Sequence, residues 1–304
     1  MNENTAGLII CNLKGNELLK IGSITLIKRM VITLQQANVS PIVIVSNNNI
    51  DELKFNLKCF GVIFLDVSNS FKVNMLYLSK VGFKYLIDKS SKVLLTPSTV
   101  PIFKKSTIEK LINCNGEIIV PSYNKKSGHP ILLNKDAIYD FLSFDGTSMK
   151  SAINSLKYKK KYLNVSDEGI IHSTDDISTI VHILPTYNEE MIHSFVKISI
   201  EKEQLFFDSR SKLLFSLIKE TNSVRVACNY MSISYSKAWN IIKDVEKALG
   251  YAVVDRKQGG NHGGKTVLNE KGLSFLKAYS EFEKSINEFS KTQFQEIFTN
   301  NNII

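Results

Sequence analysis

The sequence predicts an α/β fold in two parts: an open, doubly wound, Rossmann-like sheet, followed by a smaller helical unit that ends in a long helix. Up to about residue 185, short apolar runs alternate with amphipathic stretches, which is the pattern of strands alternating with helices. From about residue 206 onward, apolar residues recur mainly at helical spacing. The length of 304 residues also suits two domains.

The predicted strands lack polar alternation, which is typical of strands buried on both faces of a parallel sheet. Amphipathic stretches such as 26–37 and 106–113 separate them, and right-handed crossovers favour an open doubly wound sheet. The basic run 157–161 is interpreted as a solvated surface, and 193–204 as a connector that is helical or partly extended. The strand candidates are residues 7–11, 41–45, 62–65, 93–95 and 117–120.

Composition excludes a disordered polyelectrolyte, a collagen and a disulfide-stapled miniprotein, because 43% of the residues are hydrophobic and 22% are charged. The net charge of +9 is compatible with a polyanionic partner, although lysine-rich proteins also carry such a surplus merely as solvation. The four cysteines are far apart and form no Cys-x-x-Cys pair, so neither a zinc site nor a disulfide framework is indicated. We expect a cytoplasmic protein without a membrane partner, since no signal peptide or apolar run of about 20 residues is present.

Three helical segments follow each other closely in the C-terminal part: 211–221, 224–230 and 234–249. Asn222 and Ser223 are good N-cap residues for the second segment, and Ser234 can cap the third, which Gly250 ends. Two helices joined by the three-residue turn 231–233 form a helix-turn-helix arrangement, whose second helix lies in the major groove of DNA.

The third segment has an apolar and a polar stripe. Ala238, Ile242, Val245 and Leu249 should pack inward, and Trp239 is assigned to the core with them. Hydroxyl, amide and ammonium groups on the opposite stripe and in the first turn can reach base edges and phosphates. These predicted DNA-binding residues are Tyr235, Ser236, Lys237, Asn240, Lys243 and Lys247.

Two β-like runs, 251–256 and 265–268, enclose a glycine-rich stretch and predict a hairpin, or wing. The glycines do not form a phosphate-binding P-loop, because no Gly-Lys-Ser/Thr follows at the required spacing. Residues 205–268 hold ten Lys and Arg against five Asp and Glu, which supports contact with the DNA backbone. The alternative is a winged helix used only for protein contact. The residues that line the predicted wing are Arg256, Lys257, His262 and Lys265.

The last helix, predicted over 270–298, has large apolar residues at 4-3-4-3 spacing, as in the seam of a coiled coil. One helix cannot bury such a seam alone, so it packs on the winged helix or on a second copy of the chain. We expect a homodimer, because DNA half-sites are commonly read by two-fold symmetric proteins. The seam consists of Phe275, Tyr279, Phe282, Ile286 and Phe289.

The C-terminal part resembles the DNA-binding domain of the molybdate-responsive regulator ModE, a LysR-type winged helix. The resemblance spans about 208–289 and is specific in Tyr-x-x-Ala-Trp at 235–239 and in the Gly-Gly wing at 259–264; residues 223–227 and 268–272 add to it. It implies that this module binds double-stranded DNA as a dimer, with the final helix supporting dimerisation.

The N-terminal part resembles MobA-like nucleotidyltransferases of molybdenum-cofactor maturation over roughly 6–180. Leu-Leu-Lys-Ile-Gly at 18–22, the strand and loop at 94–103, Ile-Val-Pro-Ser-Tyr at 119–123, Gly-His-Pro at 128–130 and Asp-Gly at 145–146 carry the resemblance. It implies a doubly wound nucleotidyltransferase sheet. The ligand-binding residues that it implies are Gly22, Gly128, His129 and Pro130.

The same family's catalytic pattern is broken in this chain. The loop 11–17 has neither the Gly pair nor the Arg that hold the triphosphate, and Asn16 stands at the family's lysine. Thr99 and Ser173 fall on the positions of the two metal carboxylates. Since Thr and Ser cannot replace anionic ligands of Mg²⁺, we expect a degenerate domain without catalytic or metal-binding residues. Mg²⁺ is expected only if the domain is active, in which case the remaining acids could gather one ion: Asp145, Asp167, Asp175 and Asp176.

These observations predict a MobA-like domain at 1–190, a connector at 191–205 and a winged helix-turn-helix with a dimerisation helix at 206–304. The favoured function is a transcriptional regulator whose N-terminal domain is a sensor or scaffold for a nucleotide, molybdate or a molybdopterin. The runner-up is an active molybdenum-cofactor cytidylyl- or guanylyltransferase fused to a regulatory DNA-binding domain. A third reading, an inert interaction protein, would need both sites to be inactive.

Overall fold

The computed structural model describes residues 4–11, 16–48, 50–57, 60–68, 73–189, 191–231, 233–257, 265–301 and 303. Contacts divide the chain into two compact units. The first comprises Met1–Leu57 and Val62–Ile192, and the second comprises His193–Ile304 together with Lys58–Gly61. Within the described ranges, no helix is both long enough and apolar enough to cross a lipid bilayer.

A twisted sheet forms the centre of the first unit. In spatial order it runs β10-β7-β9-β6-β1-β4-β5, with β8 paired to β7. All neighbours along this order pair in parallel except β9, which is antiparallel to both β6 and β7. A small hairpin, β2–β3, precedes the first helix. The strands are β1 Thr5–Cys11, β2 Lys20–Ile21, β3 Ile24–Thr25, β4 Ile42–Ser46, β5 Ile63–Asp66, β6 Lys92–Pro97, β7 Ile118–Tyr123, β8 Lys126–Ser127, β9 Ile131–Asn134 and β10 Lys160–Asn164.

Helices connect these strands, and polar side chains fix where several of them begin. Thr25, Asn74 and Asn134 each accept a hydrogen bond from a backbone N–H in the first turn of the following helix. Gly82 lets one helix lie close to the sheet, because a Cβ there would stand 2.3 Å from Leu8 of β1. The helices are α1 Leu26–Gln36, α2 Ile50–Leu57, α3 Met75–Leu86, α4 Lys105–Asn113, α5 Lys135–Ser143, α6 Met149–Ser155 and α7 Ile177–Glu189.

The second unit consists of helices and two short hairpins. Asp208 and Ser234 cap helix starts, while Asn222 (φ 52°) and Gly250 (φ 78°) end helices in the left-handed conformation. Its elements are β11 Ile200–Glu201, β12 Leu205–Phe207, α8 Ser209–Thr221, α9 Val224–Met231, α10 Tyr235–Leu249, β13 Val254–Lys257, β14 Lys265–Leu268 and α11 Glu270–Phe294, which continues into a π-helical turn, Gln295–Thr299.

Phe207 is at the centre of an aromatic core in this unit. Its ring lies 5.3 Å from Phe215 of α8, 4.9 Å from Phe275 and 4.7 Å from Tyr279 of α11, all in edge-on arrangements. The hydroxyl of Tyr279 also donates a hydrogen bond of 2.7 Å to the carbonyl oxygen of Ile198. These contacts fix α11 against α8 and β12.

The α/β fold class is confirmed, with four differences in detail. The sheet is mixed rather than wholly parallel, because β9 runs antiparallel to its neighbours. Part of the basic run 157–161 belongs to the edge strand β10, although most of that strand is exposed, as expected. The connector contains β11, which pairs with β12 at its far end, and the last α-helix ends at Phe294 rather than near residue 298.

Candidate nucleic-acid interface and candidate nucleotide site

Helix α10 has one buried and one exposed stripe. Ala238, Ile242 and Val245 are fully buried, whereas Leu249 is only partly covered. The Ser234 hydroxyl accepts a hydrogen bond from the backbone N–H of Lys237 and thereby fixes the first turn. The predicted DNA-binding residues of this helix are all exposed: Tyr235, Ser236, Lys237, Asn240, Lys243 and Lys247.

The hairpin β13–β14 adds further cations to this unit. Lys257 is opposite Lys265 in the strand register, and Arg256 is opposite Thr266. Arg256 and Lys265 are exposed. The tip of the predicted wing, 258–264 with His262, and the side chain of Lys257 lie outside the described residues.

Trp239 is not a core residue, contrary to our expectation. It is half-buried, and the guanidinium carbon of Arg256 lies 4.0 Å from the centre of its ring. The ring of Tyr235 lies 6.0 Å from that of Trp239, and the guanidinium carbon of Arg225 lies 5.8 Å from the Tyr235 ring. Sequence reasoning missed Arg225, because its closeness to α10 depends on how α9 and α10 pack.

The predicted apolar seam of α11 divides into two parts. Phe275 and Tyr279 pack against Phe207 within the same unit. By contrast, Phe282 is 51% exposed and Phe289 is 64% exposed, with the half-buried Ile286 between them. Only the second part of the seam therefore remains available to another molecule.

In the first unit, the carboxyl ends of β1 and β6 meet at the edge where ligands bind in open α/β sheets. The backbone N–H of Ser98 donates to the carbonyl of Ile10 at 2.8 Å. Thr99 follows, and its carbonyl accepts a hydrogen bond of 2.7 Å from Thr174. The two positions that the resemblance assigns to metal carboxylates, Thr99 and Ser173, thus lie in adjoining segments, but both carry hydroxyl groups.

The remaining acids do not form a metal site among the described residues. No group of three or more His, Cys, Asp or Glu side chains in that part of the chain is arranged to hold an ion. Asp167 is buried and accepts hydrogen bonds from the Lys104 N–H at 2.8 Å, from the Thr107 hydroxyl at 2.6 Å and from the Tyr187 hydroxyl. It therefore holds α4 and α7 rather than a metal.

The other three acids are exposed. Asp176 directly precedes α7, and hydrogen bonds from Thr179 and Ser178 lower the pKa of its carboxyl to about 2. Asp175 accepts from the Ser173 hydroxyl at 3.0 Å, and Asp145 lies in the turn after α5. Within the described part of the chain, these acids do not come together as a group of three or more ligands, and a role in binding one ion stays a prediction.

A buried carboxyl, which sequence reasoning missed, lies next to the end of β1. Glu17 is only 4% exposed, and burial raises the pKa of its carboxyl. Burial also raises the pKa of the neighbouring Cys11 thiol, and the Glu17 charge adds to that effect. This carboxyl belongs to the segment 11–17, to which the resemblance assigns the triphosphate loop.

The Gly-His-Pro segment is closely packed. A Cβ on Gly128 would stand 2.5 Å from the Ile170 carbonyl oxygen, and the backbone N–H of His129 donates to that same oxygen at 2.9 Å. Burial lowers the pKa of His129 to about 4, and its Nδ1 has no hydrogen-bond partner among the described residues. Pro130 is buried. Their role in ligand binding stays a prediction.

Gly22 is the exposed turn of the β2–β3 hairpin, with φ +74°. A cavity of about 420 Å³ lies between this hairpin and α2, lined by Leu18, Lys20, Thr25 and the α2 side chains up to Asn56. Gly22 is not among the residues that line this cavity, and its role in ligand binding also stays a prediction.

Comparisons with known proteins match both parts of the chain. Residues 16–160 match the family model of the MobA-like NTP transferase domain. A nucleotidyl transferase from Methanothermobacter thermautotroptrophicus aligns over 61% of this chain and 100% of its own at a TM-score of 0.52; with 14% identity, this likeness concerns the fold alone. The N-terminal part of the chain, a little less than half of its length, therefore matches the MobA-like NTP transferase domain.

The rest of the chain is similar to ModE regulators. The transcriptional regulator ModE of Yersinia pestis is 31% identical over 78 residues, which are 26% of this chain and 30% of that protein. ModE of Haemophilus influenzae is 26% identical over 96 residues, which are 31% of this chain and 38% of that protein. The matched part of the chain thus spans only about a third of the length of these relatives.

Proposed function

We propose that this chain is a cytoplasmic, DNA-binding transcriptional regulator whose C-terminal unit is a LysR-type winged helix-turn-helix. The observation that carries the proposal is the exposed polar and basic stripe of α10, which lies opposite a fully buried stripe of the same helix. The similarity to two ModE regulators supports it.

In this proposal α10 enters the major groove. Ser236 and Asn240 have the hydroxyl and amide groups that hydrogen-bond to base edges, so they contribute sequence preference. Lys243 and Lys247 are farther along the same exposed stripe and reach phosphates. Tyr235 and Lys237 contact the backbone from the first turn, and the hairpin residues Arg256, Lys257 and Lys265 do so from the wing.

The proposed regulator is a homodimer through α11. Phe282 and Phe289 are large, exposed and separated by two helical turns, so a second copy of the helix can cover them. Two copies of α10 would then read two half-sites of one operator.

The N-terminal domain is proposed to be a sensor or scaffold rather than an enzyme. Thr99 and Ser173 cannot supply two anionic ligands to a hard cation, and Glu17 places a buried carboxyl near the triphosphate loop. A nucleotide, molybdate or a molybdopterin is the class of ligand that fits such a domain. Gly22, Gly128, His129 and Pro130 are the residues proposed to hold it.

The second candidate is an active molybdenum-cofactor cytidylyl- or guanylyltransferase that also regulates genes. The match of residues 16–160 to the NTP transferase family favours it. Mg²⁺ would be needed in that case, because nucleotidyl transfer requires neutralisation of the triphosphate.

Selection of binding sites from a library of random duplexes tests the proposal. The full-length chain is used with and without molybdate, CTP, GTP and molybdopterin, and an Asn240→Ala/Lys243→Gln variant is the matched control. We expect enrichment of two-fold related half-sites about 10 base pairs apart, which the variant loses. Absence of enrichment, together with no retention of DNA at low salt, contradicts the proposal.

A further inference from the structure

The first two turns of α10 carry two aromatic rings, and each ring lies against an arginine from another element. The rings of Tyr235 and Trp239 are 6.0 Å apart and 77° to each other. Arg225 of α9 lies 5.8 Å from the Tyr235 ring, and Arg256 of β13 lies 4.0 Å from the Trp239 ring. These four side chains form a continuous row, called here the arginine–aromatic row, which joins α9, α10 and the hairpin.

The guanidinium carbon of each arginine in the row lies over the face of an aromatic ring. Both distances lie within the roughly 6 Å over which a cation is attracted to an aromatic ring. A guanidinium that stacks on a ring keeps its N–H donors free at the edge. Among the residues that the structure describes, neither Arg225 nor Arg256 forms an ion pair or donates a hydrogen bond to another side chain or backbone oxygen.

Exposure indicates which members can touch a partner. Arg225, Tyr235 and Arg256 are exposed, whereas Trp239 is half-buried beneath Arg256. A long arginine side chain normally loses rotamer freedom when it binds. A ring that already fixes the side chain reduces that loss, so a pre-positioned arginine binds an anion more tightly than a mobile one.

We propose that Trp239 and Tyr235 are positioning residues that hold Arg256 and Arg225 as a preformed pair of phosphate-binding groups for duplex DNA. The proposal rests on the proposed function and deepens it, because it assigns Arg225 to the interface and gives Trp239 a role other than core packing. Arg256 and Arg225 contact phosphates, and the two rings act through them.

The stacking of Arg256 on Trp239 is measurable without DNA. Trp239 is the single tryptophan of the chain, so the emission of the full-length protein reports on it alone. Arg256→Ala uncovers one face of the indole and raises the acrylamide quenching constant. Lys219→Gln, which removes an exposed cation from α8, leaves the constant unchanged. Equal quenching in wild type and Arg256→Ala overturns the proposal.

A double-mutant cycle measures the positioning role. The full-length protein is titrated into a fluorescein-labelled duplex of mixed sequence, and anisotropy is followed over a series of salt concentrations. Arg256→Ala should weaken binding about tenfold at about 0.1 M salt and reduce the slope of log K against log salt by about 0.9. Trp239→Leu should cause most of the same loss, and adding Arg256→Ala to it should cost less than about twofold more, since additivity fails for coupled residues.

The variant Arg256→Lys distinguishes the effect of stacking on the ring from the effect of the positive charge. Because lysine keeps the charge but cannot stack as a plane, it should weaken binding several-fold in the wild-type background and change nothing in the Trp239→Leu background. If Trp239→Leu does not fold, Trp239→Phe takes its place and should retain affinity within about threefold, since it keeps a ring under Arg256.

Two kinds of failure can be told apart. Fully additive losses in Arg256→Ala and Trp239→Leu, while the wild type binds DNA, overturn the positioning role alone. A wild type that binds no duplex even at low salt overturns the proposed function, and the assignment of phosphates to this row with it.

Discussion

The backbone N–H of Thr174 donates a hydrogen bond of 2.7 Å to the carbonyl oxygen of Thr99. This bond joins the loop after β6 to the segment before α7. It brings together the two places where a MobA-like transferase is expected to hold its metal. At the two positions that the resemblance assigns to metal carboxylates, Thr99 and Ser173, this chain offers only hydroxyl groups.

We therefore predict that the full-length protein does not transfer nucleotides. Incubation with CTP or GTP, Mg²⁺ and molybdopterin should release no pyrophosphate above background. A bound metal contributes several kcal/mol of transition-state stabilisation. Without the two carboxylates that would bind the metal, this stabilisation is lost. The double variant Thr99→Asp/Ser173→Asp should not restore turnover, because loop 11–17 still lacks the triphosphate-binding groups and the Glu17 carboxyl remains.

The second candidate function makes the opposite prediction. Turnover at a rate typical of enzymes, abolished by Asp175→Asn and unaffected by Asp145→Asn, would mean that an acid of the segment before α7 binds the metal. The non-enzymatic reading would then be wrong.

The Gly-His-Pro segment predicts a stability effect at Gly128. Gly128→Ala places a methyl group 2.5 Å from the Ile170 carbonyl oxygen, and overpacking of this kind lowers the free energy of unfolding by about 1–3 kcal/mol. Ser127→Ala changes the exposed neighbouring residue and should stay within about 0.5 kcal/mol of the wild type. Urea denaturation measures both, and equal midpoints would contradict the packing argument.

The half-buried His129 predicts a pH dependence of stability. Burial lowers its pKa from 6.5 to about 4 in the folded chain, so the unfolded chain binds the proton more readily between these values. Its contribution to stability is therefore present above pH 6.5 and is lost as the pH falls toward 4. His129→Gln, which does not titrate, should unfold with a flatter pH dependence in that range.

Glu17 has the opposite effect on the pH dependence of stability, because burial raises the pKa of its carboxyl. Only the difference between wild type and His129→Gln therefore reports on His129. Urea unfolding at pH 7 and at pH 5 gives that difference. A constant difference between the two proteins at both pH values would show that His129 is not neutral and buried in the native state.

Much of this fold could be predicted from local patterns. Branched apolar runs located β1, β4, β5, β6 and β7, because a strand buried on both faces must be apolar on both. The N-cap Ser234 and the C-cap Gly250 could also be predicted from the sequence, since capping depends on residues that are close in the chain. The direction of β9 could not be predicted, because its run of three apolar residues carries no information about the strands beside it.

The candidate sites depended more on tertiary contacts. Helical periodicity placed Trp239 with the inward stripe, but Arg256 covers it from a strand that is distant in sequence. Similarly, the residue spacing predicted one continuous seam on α11, whereas Phe275 and Tyr279 pack against Phe207 of β12. Packing against residues distant in sequence decides which apolar residues of an amphipathic helix stay exposed. A periodic pattern in the sequence does not reveal that packing.

The exposed stripe of α10 predicts two kinds of DNA-binding variant. Lys243→Gln and Lys265→Gln should each weaken binding to all duplexes alike and reduce the salt slope by about 0.9, since each loses one phosphate contact. Asn240→Ala should instead change the selected sequence at one position, where a lost bidentate contact costs about 1–3 kcal/mol of discrimination. Anisotropy with selected and scrambled duplexes distinguishes them, and salt-independent binding would contradict both.

The exposed part of the α11 seam predicts that two copies associate through it. Phe282 and Phe289 stay more than half exposed within one chain, so Phe282→Glu/Phe289→Glu should leave each chain folded. It should also prevent association, because a dimer would have to bury two unpaired carboxylates per chain in an apolar contact. Lys284→Glu, which reverses a charge on the opposite side of α11 and disturbs only an exposed ion pair with Glu288, should remain dimeric. Light scattering at tens of micromolar measures the mass of each protein. A wild type that stays monomeric, or a double variant that still dimerises, would mean that another partner covers this face of α11.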